Sequence, residues 1–253
     1  MLVYVLTLFP DAIDPYLSRG IFRVARDKGL IEIRLLNFRD FAKGKHRSVD
    51  DRPFGGGPGM LLRPEPIFEA VEWVEAREGQ FRKILLTPDG TPFKQSRAES
   101  LAAGAQVAGS LGSRLLFLCG RYEGFDHRIL DGFDWERVSI GDYVLSGGEL
   151  AALVVLEAVV RLVPGVLGDE ESPIHESFTT GLLDYPQYTR PREFRGKPVP
   201  EILVSGDHEA VRRWRAREAK KRTEELRPDL GPSGAFSREL DPKKTTKPDD
   251  PDH

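Results

Sequence analysis

The chain has 253 residues, of which 40% are hydrophobic and 30% are charged, and its formal net charge is −3. This composition is typical of a globular protein, and the small net charge excludes a polycation that binds nucleic acid over its whole surface. A single cysteine, Cys119, excludes a disulfide framework within the chain and a zinc cluster of thiolates. The sequence lacks a basic leader and an apolar run of about 20 residues, so we expect a cytoplasmic protein without a membrane segment.

Strand and helix patterns alternate along the chain as far as about residue 165. Apolar runs predict strands, and apolar residues at helical spacing predict helices. In chain order we predict a strand at 3–9, a helix at 11–29, a strand at 31–37, a polar loop at 41–52, a glycine run at 54–60, a helix at 64–78, a strand at 83–87, a helix at 98–110, strands at 114–119 and 137–140, and a helix at 149–162. This alternation predicts an α/β fold with a mostly parallel sheet.

The composition of the chain changes after residue 168. We predict a first domain at 1–167 and an acidic, proline-containing linker at 168–176. A small, mainly helical and basic domain is predicted at 177–236. The tail at 237–253 has almost no apolar residues, so we expect it to be disordered.

Three loops leave predicted strands directly through glycine or proline, at 87–90, 119–124 and 139–149. Ligands of α/β sheets bind at the carboxyl ends of strands, and glycines let the backbone approach a ligand closely. Each loop alone is consistent with a simple tight turn. The three together predict a small-molecule site, and their few cations suit a methyl donor that carries a sulfonium and an adenosine.

The glycine run does not match the common nucleotide-binding motifs. Residues 55–59 lack the Lys-Ser/Thr pair of a phosphate-binding loop and the spacing of G-x-G-x-x-G. Neither ATP nor NAD is therefore indicated by a motif.

Six segments match one known family in the same order along the chain. They read GGGPGM at 55–60, CGRYEGFD at 119–126, SIGDYVL at 139–145, PGVLG at 164–168, GLLD at 181–184 and YTRP at 188–191. Together they resemble the bacterial tRNA (guanine-N1)-methyltransferase family TrmD, which belongs to the SPOUT superfamily, and the resemblance extends to about residue 230. It implies a C-terminal trefoil knot in the α/β domain, a rare exception to the rule against knotted chains that composition and periodicity do not reveal.

The resemblance also implies a cofactor, a substrate and an assembly. It implies S-adenosylmethionine bound in the knot, a homodimer with active sites between subunits, and a tRNA methylated on N1 of the guanosine at position 37 when another guanosine precedes it. A need for magnesium is implied as well, but we assign no protein ligands to it. The residues that match the family's cofactor contacts are Thr87, Pro88, Gly120, Tyr122, Glu123, Ile140, Gly141, Tyr143, Leu145, Gly147 and Gly148.

Methylation of guanine N1 requires a base that takes its proton and a donor that stabilises charge on the neighbouring carbonyl oxygen. The resemblance makes Arg161 the donor, although its spacing also allows an ion pair with Glu157. The family usually has an aspartate before Ser-Phe, where this chain has Glu176, which is one methylene longer. Asp184 is the alternative base, or it caps a turn.

Basic residues in three segments are candidates for tRNA contact. The segment at 212–222 is mostly cationic, which fits either phosphate contacts or a solvated helix face, and the resemblance favours the phosphate contacts. The residues that we expect to contact tRNA are Lys45, Arg52, Arg190, Arg212, Arg213 and Arg215.

Two other classes of protein compete with a methyltransferase. A non-catalytic RNA-binding module would keep the basic segment but would be free to lose Arg161 and the carboxylate at 176 or 184. A phosphohydrolase would need a phosphate loop or paired carboxylates that bind a metal. We find neither of these two features in the sequence.

Overall fold

The computed structural model describes residues 1–105, 111–168 and 176–230. The chain divides into two compact units, residues 1–170 and 171–253. Most of the predicted linker, the predicted tail and the end of the predicted helix at 98–110 lie outside the described residues. Within the described part of the chain, no helix is long and apolar enough to cross a bilayer.

The first unit contains most of the regular structure. Its strands are β1 (Leu2–Thr7), β2 (Glu32–Asn37), β3 (Asp50–Asp51), β4 (Leu61–Leu62), β5 (Arg82–Pro92), β6 (Arg114–Leu118) and β7 (Trp135–Ser139). Its helices are α1 (Pro10–Leu17), α2 (Gly20–Asp27), α3 (Pro64–Glu78), α4 (Gln95–Gly104), α5 (His127–Gly132) and α6 (Glu149–Val160).

Five strands form one sheet in the order β2-β1-β6-β5-β7, and every pair of neighbours is parallel. This confirms the predicted α/β class. Leu116 and Phe117 follow each other on the central strand, so their side chains point to opposite faces, and both are fully buried. One face packs against α1, α2, α4 and α6, and the other packs against α3 and α5. Because helices cover both faces, the inner strands β1 and β6 are almost entirely apolar, whereas the edge strands β2 and β7 also carry charged residues.

Several predicted boundaries differ by two or three residues, since β1 ends at Thr7, α4 begins at Gln95 and β7 begins at Trp135, and two predictions are wrong by more. The helix predicted at 11–29 is two helices, because Arg19 is extended and Gly20 has a φ of +53°. The strand predicted to stop at Thr87 continues to Pro92 after a bulge, since Leu86 and Thr91 both pair with Val138. The sequence also did not predict α5 or the short β3–β4 ladder, which encloses the glycine run.

The described part of the second unit is built around one long helix. The predicted basic helix is confirmed as α7 (His208–Leu226), whose first turn is capped by the Asp207 carboxylate accepting from the Ala210 amide at 2.9 Å. A hairpin that the sequence did not predict joins β8 (Glu193–Phe194) to β9 (Lys197–Pro198). Its turn residues, Arg195 and Gly196, both have positive φ, as a type I′ turn requires.

Candidate active site

A cavity of about 390 Å³ lies at the carboxyl ends of β5, β6 and β7. The bulge in β5 and the loops after β6 and β7 form its walls. The structure brings together around it all eleven residues that the sequence analysis singled out for cofactor contact, namely Thr87, Pro88, Gly120, Tyr122, Glu123, Ile140, Gly141, Tyr143, Leu145, Gly147 and Gly148.

The bulge in β5 places a carboxylate at the edge of the cavity. A Cβ on Gly90 would lie 2.5 Å from the backbone of Val138, so only glycine allows the chain to fold back onto β7 here. The Thr87 hydroxyl donates to Asp89, and Arg137 Nη1 lies 2.9 Å from Asp89 Oδ2. The Thr87 hydrogen bond and then the Arg137 charge lower the pKa of Asp89, which is therefore ionised at neutral pH. From the sequence, Asp89 is predicted only to be a turn residue.

The loop after β6 is held in place by the glycine run. The Glu123 amide donates to the Met60 carbonyl at 3.0 Å, and the Leu62 amide donates to the Gly124 carbonyl at 2.9 Å. A Cβ on Gly59 would lie 2.3 Å from Glu123 Cγ, so the two segments touch. The motif GGGPGM thus supports the wall of the cavity.

The loop after β7 presents apolar side chains at the mouth of the cavity. Gly141 has a φ of +150°, and a Cβ there would lie 2.4 Å from the ring of Tyr143. The Tyr143 hydroxyl donates to the Ile140 carbonyl at 3.2 Å, which folds the ring over its own loop. Val144 and Leu145 are exposed beside it. Such surfaces suit the flat face of a purine.

A buried ion pair joins the loops to the sheet. Glu149, at the start of α6, is 3% exposed and its Oε1 accepts from the Thr7 hydroxyl at 2.7 Å. Arg121 Nε lies 3.3 Å from Oε1, and its Nη2 lies 3.0 Å from Oε2. Oε2 accepts no hydrogen bond among the described residues, so the Arg121 charge alone compensates it. Arg121 also donates to the Ser146 carbonyl and covers the Phe9 ring at 4.4 Å.

The same junction requires glycines and buries the cysteine. The Gly148 amide donates to the Gly120 carbonyl at 2.9 Å, and a Cβ on Gly148 would lie 2.8 Å from Cys119 Cα. Burial, with a smaller contribution from the nearby Glu149, raises the pKa of the Cys119 thiol. The thiol is therefore protonated at neutral pH and is not a nucleophile.

Comparison with known proteins places this chain in one family. The family model described as tRNA (Guanine-1)-methyltransferase TrmD matches residues 1–233. The chain belongs to the TrmD family. It is 50% identical over 230 residues to a tRNA (guanine-N(1)-)-methyltransferase of Geobacillus kaustophilus, and the match covers 91% of each chain. A relative of the same name from Rhodopirellula baltica is 49% identical over 247 residues, which is 96% of this chain and 98% of that one.

The arginine predicted from the TrmD pattern does not line the cavity of its own chain. Arg161 follows the last residue of α6, and its amide donates to the Glu157 carbonyl at 3.3 Å. The helix has 12 residues and starts at the cavity. At 1.5 Å per residue, roughly 18 Å separates its two ends. The structure therefore separates Arg161 from the eleven residues of the cavity.

The two candidate carboxylates lie close together in the sequence of the second unit but differ in their surroundings. Asp184 Oδ1 accepts from the Tyr185 amide at 2.8 Å, and Oδ2 accepts from Gln187 Nε2 at 2.5 Å. Its own amide donates to Ser177 Oγ at 2.9 Å. Asp184 thus has the turn-capping role that the sequence left open. Glu176 is half-buried, and its carbonyl accepts from the Thr179 amide at 3.4 Å.

The six predicted tRNA-contact residues are all exposed, but the structure does not place them in one segment. Lys45 and Arg52 lie before and after β3, in the first unit. Arg190, Arg212, Arg213 and Arg215 are exposed on the second unit, where Arg213 Nη1 pairs with Glu209 Oε1 at 2.7 Å.

The described residues do not fit a dedicated magnesium site. No three or more histidine, cysteine, aspartate or glutamate side chains of the described ranges are grouped closely enough to hold a metal ion. We assign no magnesium ligand and no step of the reaction to a metal.

We expect Arg121→Ala to lower the free energy of unfolding by about 3–5 kcal/mol, because it leaves the buried Glu149 carboxylate without its counter-charge. Chemical denaturation of the purified chain measures this loss. The matched control is Arg128→Ala, which removes an exposed ion pair with Asp126 and should lower the free energy of unfolding far less, because water screens that pair. Equal losses in the two variants would show that the Arg121 pair does not hold the site together.

Proposed function

We propose that this chain transfers the methyl group of S-adenosylmethionine to N1 of the guanosine at position 37 of tRNA, giving 1-methylguanosine. One observation carries the proposal: the bulge of β5 and the loops after β6 and β7 converge on one cavity, and the latter two loops contain motifs that the chain shares with the TrmD family. The relatives that share about half of its residues are named for methylation of guanine N1 in tRNA.

The target base is tested with two unmodified tRNA transcripts, one with guanosine and one with adenosine at position 37. We expect methyl transfer only to the guanosine transcript, because the proposed site removes a proton from N1 and adenine carries none there. Incorporation of labelled methyl groups, followed by nucleoside analysis, measures the product. A transcript in which the preceding guanosine is replaced should be methylated more slowly. Equal methylation of the adenosine transcript would contradict the proposed substrate.

The cavity that we assign to S-adenosylmethionine suits its adenosine and its positive charges. Gly141 and Gly124 have positive φ, a conformation that glycine adopts without strain and that lets the loop backbone approach a bound adenine closely. The Tyr143 side chain and the apolar residues beside it offer a surface for stacking. The ionised Asp89 and the carboxylate of Glu123 line the same cavity and favour a cationic donor. We also propose that these loops form the trefoil knot of the superfamily.

We expect Gly141→Ala to weaken binding of S-adenosylmethionine roughly tenfold or more, since the new Cβ meets the Tyr143 ring and strains the loop. Equilibrium dialysis with labelled S-adenosylmethionine measures the dissociation constant. Gly29→Ala is the matched control, because Gly29 also has a positive φ but nothing lies within 4 Å of its Cβ position and it does not line the cavity. If both variants bind equally well, the cofactor site lies elsewhere; if the wild-type chain binds none, the proposed function is wrong.

In the proposed reaction the donor supplies an electrophilic methyl group, and the chain positions the guanine and manages its proton. We propose that Glu176 accepts the N1 proton and that Arg161 stabilises the negative charge that grows on the neighbouring carbonyl oxygen. Asp184 is the weaker candidate for the base, because both of its oxygens already accept hydrogen bonds within its own loop.

We expect Glu176→Gln to lower kcat by about 100-fold or more while leaving cofactor binding intact, since general base catalysis typically contributes that much. Asp184→Asn should have a smaller effect on kcat, and it should lower stability by disturbing the loop that Asp184 caps. Single-turnover methylation and thermal unfolding measure the two effects. A kcat far lower in Asp184→Asn than in Glu176→Gln would make Asp184 the base.

We propose that the chain works as a homodimer and that Arg161 acts in the active site of the partner subunit. Two features support this arrangement. Arg161 lies at the opposite end of α6 from the cavity of its own chain. Leu150 and Val154, one turn apart on the same helix, are 61% and 50% exposed and form an apolar stripe that a second subunit would bury. We also propose a cytoplasmic location, which the buried, unpaired Cys119 fits.

Subunit mixing tests whether the site is shared. Arg161→Ala and a cavity variant, Gly141→Val, should each be inactive alone. Co-refolded in equal amounts, they should regain about one quarter of wild-type activity, because about half of the dimers are mixed and each has one complete site. No recovery in demonstrably mixed dimers would place Arg161 in its own subunit's site, and a chain that stays monomeric while active would contradict the dimer.

A further inference from the structure

The second unit contains a cavity that the proposed chemistry does not use. It measures about 410 Å³, and residues 185–215 form all of it. Its walls come from the loop before β8, the base of the hairpin, the short helical turn Glu201–Val204 and one face of α7. The lining side chains that matter for its chemistry are Tyr185, Tyr188, Arg190, Arg192, Leu203 and Arg215.

Among the residues that the structure describes, three arginines and no acidic residue line the cavity. No carboxylate of the described residues lies within 4 Å of a cationic nitrogen of Arg190, Arg192 or Arg215. By contrast, Arg217 pairs with Glu218 at 3.3 Å and Lys221 lies 4.0 Å from Glu225, so these two cations of α7 are neutralised. The three arginines of the cavity have no such partner among the described residues, and together they favour an anionic ligand.

Aromatic and apolar groups complete the cavity. The Arg215 guanidinium lies 4.8 Å from the centre of the Tyr185 ring, which fixes both side chains against α7. Tyr188 is 50% exposed and leaves much of its ring free for a partner. Val199, Leu203 and Val204 add an apolar wall. Exposed aromatic rings beside arginines are the usual surface for an unstacked base with its phosphate.

We propose that this cavity holds one unstacked nucleotide of the tRNA, other than the guanosine that is methylated. The three arginines bind its phosphate, and its base stacks on Tyr188 against the apolar wall. A volume of about 410 Å³ falls within the 300–1,000 Å³ of typical small-ligand pockets, so it fits one nucleotide and not a duplex. The inference rests on the proposed function, because it takes tRNA as the ligand.

The methylated guanosine is not the occupant, for a chemical reason. Its N1 proton needs an acceptor, and no carboxylate lines this cavity. The cofactor cavity is formed by residues 86–151, whereas this one is formed by residues 185–215. A second nucleotide held apart from the reacting one would hold the RNA in register while the target base leaves its stack.

Tyr188→Ala tests the stacked base. With the full-length chain and an unmodified tRNA transcript, we expect the dissociation constant to rise about tenfold, and Tyr188→Phe to restore wild-type affinity because the ring is retained. Transcripts that are abasic at one position at a time locate the nucleotide. At one position, removal of the base should raise the dissociation constant of the wild-type chain about tenfold. Removal of the same base should not weaken binding to the Tyr188→Ala variant any further. Additive effects at every position would overturn the proposal.

A charge comparison tests the phosphate contact. The triple variant Arg190→Ala, Arg192→Ala, Arg215→Ala should reduce the slope of log affinity against log salt by about one to two, as expected for the loss of one or two phosphate contacts. The control triple variant Arg217→Ala, Lys220→Ala, Lys221→Ala removes the same number of charges from α7 of the same unit, outside the cavity. Equal changes in slope for both would overturn the proposal, because they would show a general effect of charge.

Failure of this inference is distinguishable from failure of the proposed function. If the wild-type chain does not methylate the transcript, the proposed function fails. If it does, and the abasic and tyrosine effects are additive, only the nucleotide cavity is wrong. Circular dichroism establishes that each variant is folded. If the triple arginine variant does not fold, the comparison of Tyr188→Ala with Tyr188→Phe decides whether the cavity holds a nucleotide.

Discussion

The cavity depends on one buried carboxylate and the arginine that compensates it. Glu149 sits where α6 begins, almost without contact with water, and an ionised group there is tolerated only with a counter-charge and a hydrogen bond. Arg121 and Thr7 supply both. Because Arg121 also reaches Ser146 and covers Phe9, a single guanidinium connects the end of β1 with the loops that follow β6 and β7.

Glycines make this close packing feasible, and they determine what the cavity offers to a ligand. Gly147 and Gly148 leave no space for a side chain where the start of α6 meets the end of β6. The walls consist of main chain, apolar side chains, the carboxylates of Asp89 and Glu123, and one arginine, Arg121, which pairs with Glu149. Such a cavity fits the proposed cationic donor better than a nucleoside triphosphate. Three arginines without an acidic partner among the described residues line the cavity at 185–215, which fits the proposed RNA contact.

The sequence predicted those elements whose ends are marked by local chemistry. Helix α3 was predicted at both ends, because Pro64 suits a first helical turn and Gly79 has the positive φ of a helix end. The division between α1 and α2 was missed, because the apolar spacing continues through Gly20 while the backbone does not. The bulge in β5 was missed as well, since its second pairing, with Val138, involves a residue distant in the sequence.

By itself, the sequence determined the α/β class, the family and the eleven residues around the first cavity, because motifs and periodicity are properties of neighbouring residues. The tertiary structure decided what depends on long-range packing. It joined Thr7 to Glu149 across 142 residues and Arg121 to Glu149 across 28. It separated Arg161 from the cavity of its own chain, and it brought Arg190, Arg192 and Arg215 together around a second cavity. The pattern of residues along the sequence does not show which distant side chains come into contact, since only packing in three dimensions fixes the distances between them.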